Sequence, residues 1–131
     1  FHVTGVQTCA LPISQSWMNF TNPGQHHHKH VHNNSFVSGV FYINAIEELD
    51  RILFYDKKFD SMIQPNQAEF NEFNSPARFF PVSTGKLVLF PSWLPHSVPG
   101  TDNMDVRVSL AFNTFINGKF GEESESTYLE I

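Results

Sequence analysis

The residues of this sequence best suited to chemistry are its histidines, and most of them lie in one short segment. The chain has seven histidines, five of which fall within residues 26–32. Side chains two residues apart on an extended strand project from the same face. His30 and His32 can therefore present two imidazoles to one metal ion, and His26 and His28 share their parity.

A third candidate ligand, His96, lies far along the chain, shortly after Pro91. A His-x-His pair together with a distant histidine is a recurrent way to build an open metal site. Imidazole suits iron, zinc, copper and nickel, so these ligand types alone do not identify the metal. One ion cannot use every histidine, and we expect residues 26–28 to be a polar segment outside the site.

The elements that must position these histidines are short strands separated by turns rich in Pro, Gly and Asn. The predicted strands are residues 16–21, 36–44, 51–56, 85–91 (a turn and then a strand) and 106–115. Gly39 interrupts a β-branched and aromatic run and indicates a close approach or a bulge. Residues 60–77 indicate a long polar loop, and residues 45–50 form one helical turn at most. The pattern favours an all-β sandwich or barrel.

Composition limits the classes of protein that this chain can represent. The 131 residues suffice for one domain, and 40% hydrophobic with 16% charged residues is a globular composition. The net charge of −5, with no cluster of Lys and Arg, argues against nucleic-acid binding. A single cysteine, Cys9, excludes an intrachain disulfide and favours a reducing, cytoplasmic location. The sequence has no run of about 18 apolar residues, so it predicts no membrane span. The oligomeric state stays open.

The first residues differ in character from the rest of the chain. Residues 1–14 resemble translated sequencing-adapter DNA, and we predict a non-native leader there. The domain is therefore expected to comprise residues 15–131, with its natural N-terminal part missing. In that case an apolar outer face of the barrel is left in water, and the fragment is expected to be less stable than its parent.

Several motifs in combination resemble one family. They are Trp17-x-Asn19, Gly24, His30-x-His32-x-Asn34-Ser35, Ser38-Gly39-Val40-Phe41-Tyr42, residues 85–98 (GKLVLFPSWLPHSV) and residues 107–113 (RVSLAFN). Together they resemble 2-oxoglutarate- and Fe(II)-dependent oxygenases common in marine phage and bacteria. The resemblance extends over residues 16–115, and its motifs are specific as a set but weak singly.

The resemblance implies a double-stranded β-helix (a jelly-roll, or cupin-like barrel) and an Fe(II) dioxygenase. Such enzymes use 2-oxoglutarate and O2, oxidise a substrate, usually by hydroxylation, and release succinate and CO2. On this reading His30, His32 and His96 hold the iron at one barrel mouth. Arg107, eleven residues beyond His96, lies deeper and binds the far carboxylate of 2-oxoglutarate, for which a planar guanidinium is well suited.

Four further residues are expected to contact the co-substrate. Ser109 and Asn113 share the parity of Arg107 on the last long strand, and Tyr42 and Asn19 are predicted to face inward. The other parity of that strand, Val106 to Phe112, is expected to point away. The substrate itself is not identified by the sequence, although residues 60–80 are expected to help line its pocket.

One departure from the family pattern leaves an alternative open. The usual triad is two histidines and a carboxylate, whereas His32 occupies the carboxylate position. Cupins also use three histidines in a β-barrel, and Gly85, Pro91 and His96 fit part of a cupin motif. However, Trp93 occupies the glycine position of that motif, and the glutamate expected after His32 is absent. A third possibility is a non-catalytic metal-binding β-sandwich module.

Overall fold

The chain folds into short antiparallel strands. The computed structural model describes residues 10–56, 68–71, 73–101 and 104–131. Within these ranges there are ten strands and no helix. The strands are β1 (Ile13–Thr21), β2 (His27–His30), β3 (Val37–Asn44), β4 (Arg51–Tyr55), β5 (Ala77–Pro81), β6 (Leu87–Pro91), β7 (His96–Val98), β8 (Arg107–Thr114), β9 (Lys119–Phe120) and β10 (Leu129–Glu130). The predicted all-β class is confirmed.

Two four-stranded sheets form the body of the molecule. Sheet 1 has the order β1-β8-β3-β6 and sheet 2 has the order β2-β7-β4-β5. All of their pairings are antiparallel. Strands adjacent in a sheet are mostly distant in sequence, as in a jelly-roll. A small β9–β10 ladder follows β8 in the chain.

Strand β8, at the centre of sheet 1, shows the alternation predicted from the sequence. Arg107, Ser109, Ala111 and Asn113 are all buried. The residues between them are less buried and face the opposite side of the sheet. Three of the four inward side chains are polar, so this strand lines a polar interior.

The apolar core lies between the sheets beside this polar interior. Its buried members are Tyr42, Ala45, Ile52, Val82 and Phe90. Phe54 packs edge-on against Phe90, with ring centroids 5.0 Å apart. The core therefore joins β3 and β6 of sheet 1 to β4 of sheet 2.

The outer face of sheet 1 is apolar and open to solvent. It carries Met18, Phe20, Phe41, Ile43, Leu87 and Leu89, each more than a third exposed. A set of exposed apolar side chains on one sheet face is typical of an interaction surface. The expectation that the fragment is less stable than its parent stays a prediction.

Some boundaries differ from those predicted. Strand β1 begins at Ile13, and Ala10 forms an isolated bridge with Asn117, so part of the supposed leader takes part in pairing. The short strands β5, β7, β9 and β10 were not among the predicted strands, and β2 ends at His30 instead of continuing to His32. Cys9 and residues 60–67 of the predicted polar loop lie outside the described residues. Where the chain is described, no helix is long and apolar enough to cross a membrane.

Candidate metal centre

Three histidines from β2, β7 and the segment that follows β2 lie close together. His30 ends β2, His32 follows it, and His96 begins β7. One ligand atom from each lies within 4.8 Å of the others. His30 and His96 are Cα partners across the β2–β7 ladder, which fixes their approach. The structure therefore brings together the three ligands predicted from the sequence.

The geometry of these imidazoles suits a single ion. The Nε2 atoms of His30 and His32 lie 3.2 Å apart. Two nitrogens that each lie about 2.1 Å from one ion are separated by about 3.0–3.4 Å for bond angles between square and tetrahedral. The observed separation is in that range, so the pair can ligate one metal without rearrangement.

Each imidazole is oriented by a bond at its other ring nitrogen. Nδ1 of His30 lies 2.7 Å from the carbonyl oxygen of His28, and Nδ1 of His96 lies 3.0 Å from that of Leu94. Nδ1 of His32 lies 2.6 Å from Oδ1 of Asn113. A proton on Nδ1 that donates to these oxygens leaves the Nε2 lone pair for a metal. All three rings are thereby preset in the ligating tautomer.

Burial keeps two of these rings neutral. Desolvation lowers the pKa of His96 to about 4, and it also lowers the pKa of His32, against a raising effect from the bond to Asn113. Because only the neutral imidazole ligates metal, these lowered pKa values leave the site available at neutral pH.

A buried chain of hydroxyl groups supports the centre from sheet 1. Ser38 Oγ donates to Asn113 Oδ1 over 2.8 Å and lies 2.8 Å from Ser92 Oγ. Ser92 Oγ is in turn 2.7 Å from Ser35 Oγ. Ser38 and Ser92 have no exposed surface. This network fixes Asn113, and through it the ring of His32.

Arg107 lies in the same interior and is paired with an acid that sequence reasoning missed. Its Nη1 donates to Oδ1 of Asp50 over 2.8 Å, and both side chains are buried. The second oxygen of Asp50 accepts from the amide of Ile46. The carboxylate thus holds one edge of the guanidinium. No sequence pattern distinguishes Asp50 from any other turn acid.

Tyr42 carries a buried polar atom without a partner. Its side chain is 1% exposed, and its hydroxyl is the buried side-chain polar atom without a hydrogen bond among the described residues. Burial raises the pKa of Tyr42 to about 12, with Arg107 and Asp50 acting in opposite directions. An orphaned hydroxyl in such a place indicates a group that the protein binds there.

One narrow cavity connects these features. It has a volume of about 50 Å³ and is lined by the three histidines together with Arg107, Tyr42, Ser109, Asn19, Trp17, Thr21 and His27 among others. Four of the five residues predicted to contact a co-substrate therefore share one cavity with the metal centre. The fifth, Asn113, contacts His32 instead.

His27 is the cavity-lining histidine that the sequence analysis placed outside the site. The β2–β7 ladder shifts register between His27 and His30. Because of this irregularity, two residues of opposite parity face the same interior. His26 and His28, which have the parity of His30, are exposed. The high density of histidine in residues 26–32 is the sequence feature that could have indicated a further histidine in the cavity.

A second, larger cavity lies between the free edges β5 and β6. Its volume is about 540 Å³, and its lining is mainly apolar. Phe54 and Phe90 form one wall, and the ring of Phe90 lies 4.6 Å from that of His96, centroid to centroid. Arg78 is among its lining residues. The aromatic wall separates this groove from the metal-centre cavity.

A jelly-roll whose interior holds three converging imidazoles and a buried arginine has the ligand types of a non-haem metal centre. A family model described as "Putative 2OG-Fe(II) oxygenase" matches residues 15–113, and the chain belongs to this family. No curated protein matches the sequence.

Two solved structures are similar in fold. A 2OG-Fe(II) oxygenase family oxidoreductase from Burkholderia pseudomallei aligns with a TM-score of 0.62 and 12% identity, over 82% of this chain and 46% of its own. AviO1 from Streptomyces viridochromogenes Tue57 aligns with a TM-score of 0.58 and 14% identity, over 79% of this chain and 50% of its own. This chain therefore spans about half the length of the structures it matches.

Proposed function

We propose that this chain is the catalytic core of an oxygenase that uses Fe(II), 2-oxoglutarate and O2 to oxidise an organic substrate, with hydroxylation as the default outcome. The observation that carries the proposal is the shared cavity. Three preset imidazoles lie at one end, and a buried arginine and an unpartnered tyrosine hydroxyl line the same space.

The chain's own residues divide between metal and co-substrate. His30, His32 and His96 would hold Fe(II) through Nε2. Arg107 would donate to the far carboxylate of 2-oxoglutarate, and the Tyr42 hydroxyl, now without an acceptor, would donate beside it. When bound, iron would supply the oxidation chemistry by which 2-oxoglutarate, O2 and a substrate C–H give succinate, CO2 and an alcohol.

Ser109 and Asn19 line the same cavity on neighbouring strands. They are Cα partners in the β1–β8 ladder and are both suited to hydrogen bonding with a carboxylate. We assign them to orientation of the co-substrate. Asn113 acts on the metal through His32, and we assign it to positioning that ligand.

The charges of Fe(II) and 2-oxoglutarate make the binding of each depend on the other. Among the described residues, the ligand cluster contains no carboxylate, and the one acid near Arg107 is already paired with it. Three neutral imidazoles leave the full charge of Fe(II) uncompensated. The dianion of 2-oxoglutarate therefore supplies the neutralising charge, and we expect each ligand to tighten the binding of the other.

The cavity must widen to accept a dicarboxylate. Its volume of about 50 Å³ is near that of one or two water molecules. Trp17 is the most exposed of the wall side chains, whereas Arg107 and Tyr42 are buried. Co-substrate binding is thus expected to displace Trp17, which packs edge-on to His32 at 5.7 Å.

An anaerobic titration of the full chain tests the proposal. Fe(II) is added first and 2-oxoglutarate second, and the visible charge-transfer band of the chelate is recorded. We expect a band in the wild type and in His26→Ala, an exposed control. The band should be absent in His96→Ala, and Arg107→Ala should need at least tenfold more 2-oxoglutarate, on the order of one lost charge-assisted bond.

The alternative function is a cupin-type metal enzyme that uses the three histidines without 2-oxoglutarate. The observation favouring it is the absence of a carboxylate from the described ligand cluster. Tight metal binding by a folded protein, with no band at any 2-oxoglutarate concentration, would establish this alternative. Metal binding with neither the band nor turnover would indicate a binding module.

A further inference from the structure

The end of the cavity beside Arg107 contains a second polar pair. Thr21 is the Cα partner of Arg107 in the β1–β8 ladder. Nε2 of His27 lies 3.2 Å from Oγ1 of Thr21. All three side chains line the same space. His27 belongs to sheet 2 and the other two to sheet 1, so this pair bridges the sheets next to the guanidinium.

The inward position of His27 depends on an irregularity of the strand. Its Cα partner is Val98, and that of His30 is His96, so three steps along β2 face two steps along β7. Without the extra residue His27 would point to solvent, like its neighbours His26 and His28. Bulges commonly re-aim a side chain beside a functional site. This bulge adds an imidazole to the arginine end of the cavity.

After the hydrogen bond between His27 and Thr21 has formed, one of the two side chains still has an unused hydrogen-bond donor. A neutral imidazole has one N–H and a threonine has one O–H, and their mutual bond uses only one of the two. If Thr21 donates to Nε2, then Nδ1–H of His27 remains. If His27 donates from Nε2, then the hydroxyl proton of Thr21 remains. In either tautomer the pair retains a donor for an acceptor in the cavity.

We propose that His27 and Thr21 form the second half of a carboxylate-binding site opposite Arg107, and that they select 2-oxo acids with a distal carboxylate. The inference rests on the proposed function. Nη1 of Arg107 is held by Asp50, and Nη1 and Nη2 also reach the carbonyl oxygen of Pro99 at 3.4 and 3.5 Å, which leaves the Nε side of the guanidinium for one carboxylate oxygen. The remaining donor of the His27–Thr21 pair serves the other oxygen. His27 is thus a specificity-determining residue in the co-substrate site.

The test compares two ligands that differ only at the distal end. The Fe(II)-loaded full chain is titrated anaerobically with 2-oxoglutarate and with 2-oxopentanoate, which chelates identically but lacks the distal carboxylate. We expect His27→Ala to raise the Kd of 2-oxoglutarate about tenfold, on the order of one hydrogen bond. The Kd values of 2-oxopentanoate and of Fe(II) itself should stay within about twofold, since the chelating end is untouched.

Matched variants separate recognition from structural damage. His27→Gln keeps a side-chain N–H and should recover most of the affinity for 2-oxoglutarate, and the exposed His26→Ala should match the wild type. His27→Ala combined with the near-isosteric Thr21→Val should bind no worse than His27→Ala alone, because the pair acts as one unit.

Equal weakening of both oxo acids by His27→Ala, or no weakening of either, would overturn this inference while leaving the proposed function in place. If His27→Ala proves unfolded by circular dichroism, the selectivity of Thr21→Val and His27→Gln decides the question by the same ratio of Kd values. Failure of the wild type to form the chelate band would overturn the proposed function and this inference together.

Discussion

Oδ1 of Asn113 lies 2.6 Å from Nδ1 of His32, so a side chain on β8 sets the orientation of a metal ligand that lies beyond the end of β2. The same oxygen accepts from Ser38 Oγ, and the Asn113 amide nitrogen donates to Oε1 of Gln15. Both ends of the amide are therefore committed, and its oxygen cannot flip away from His32 without losing these bonds. A residue of sheet 1 in this way determines the tautomer of His32, which follows β2 of sheet 2.

Removing this acceptor should weaken metal binding. In Asn113→Leu, Nδ1 of His32 loses its acceptor from β8, and we expect the Kd of Fe(II) to rise about 10–100-fold. Asn113→Asp keeps an oxygen at that position and should retain Fe(II) affinity near the wild-type value. Anaerobic competition with a chromophoric chelator measures both variants. An unchanged Kd in Asn113→Leu would mean that Ser38, whose Oγ lies 2.8 Å from Nδ1 of His32, is sufficient to orient this ring.

The buried pair of Arg107 and Asp50 predicts a stability effect. Asp50→Ala leaves an uncompensated guanidinium that is 5% exposed, and we expect a loss of about 3–5 kcal/mol in the free energy of unfolding. Asp50→Ala with Arg107→Met should cost less than the sum of the single variants, since no buried charge then remains unpaired. Urea unfolding of the metal-free protein provides the measurement.

An exposed ion pair in the same chain serves as the control. Lys86 and Glu47 are 3.2 Å apart and have side chains 36% and 55% exposed. Glu47→Ala should change the free energy of unfolding by no more than about 0.5–1 kcal/mol, because solvent screens the pair. Comparable losses in Glu47→Ala and Asp50→Ala would contradict the assigned role of burial.

The parts of the site that sequence reasoning predicted are those controlled by local periodicity. Arg107, Ser109 and Asn113 follow one parity on β8, a strand regular along its length, so their shared face was readable. His30, His32 and His96 were recognisable because both metal-ligand spacing and family motifs mark them. The alternation of strands and turns was likewise sufficient to predict the all-β class.

The parts that were missed depend on interactions between distant segments. The inward position of His27 arises from a register shift against β7, which the sequence of β2 does not encode by itself. Asp50 pairs with Arg107, which lies 57 residues further along the chain, and no feature of the turn that contains Asp50 predicts that partner. Ser92 joins the support of His32 through Ser38, 54 positions away. Tertiary context decides such pairings, and a single sequence does not display it.

Gly39 permits the close packing of β3 on β8 that sequence analysis expected. A Cβ added to this residue would overlap the ring of Phe112, its Cα partner. We therefore expect Gly39→Ala to destabilise the protein by about 1–3 kcal/mol. Combination with Phe112→Leu, which shortens the obstructing side chain, should recover part of this loss relative to Phe112→Leu alone. Additive losses in urea unfolding would show that the ring is not the obstacle.

Tyr42 predicts how the protein responds to alkaline pH. Its pKa is raised to about 12 in the folded chain, chiefly by burial, whereas a tyrosine in the unfolded chain titrates near 10. The folded state therefore holds this proton more tightly. Its contribution to stability is complete below about pH 10 and is lost as the pH rises through about 12, by about 2–3 kcal/mol in all.

Ultraviolet titration of tyrosinate isolates this residue. The chain has three tyrosines, and we expect one of them to ionise about two pH units later than the others. That late transition should vanish in Tyr42→Phe, and the stability of this variant should fall less steeply between pH 10 and pH 12. Since 2-oxoglutarate would accept a bond from the Tyr42 hydroxyl, Tyr42→Phe should also weaken its binding at neutral pH by about three- to tenfold. Simultaneous ionisation of all three tyrosines in the folded wild type would contradict the burial of this hydroxyl.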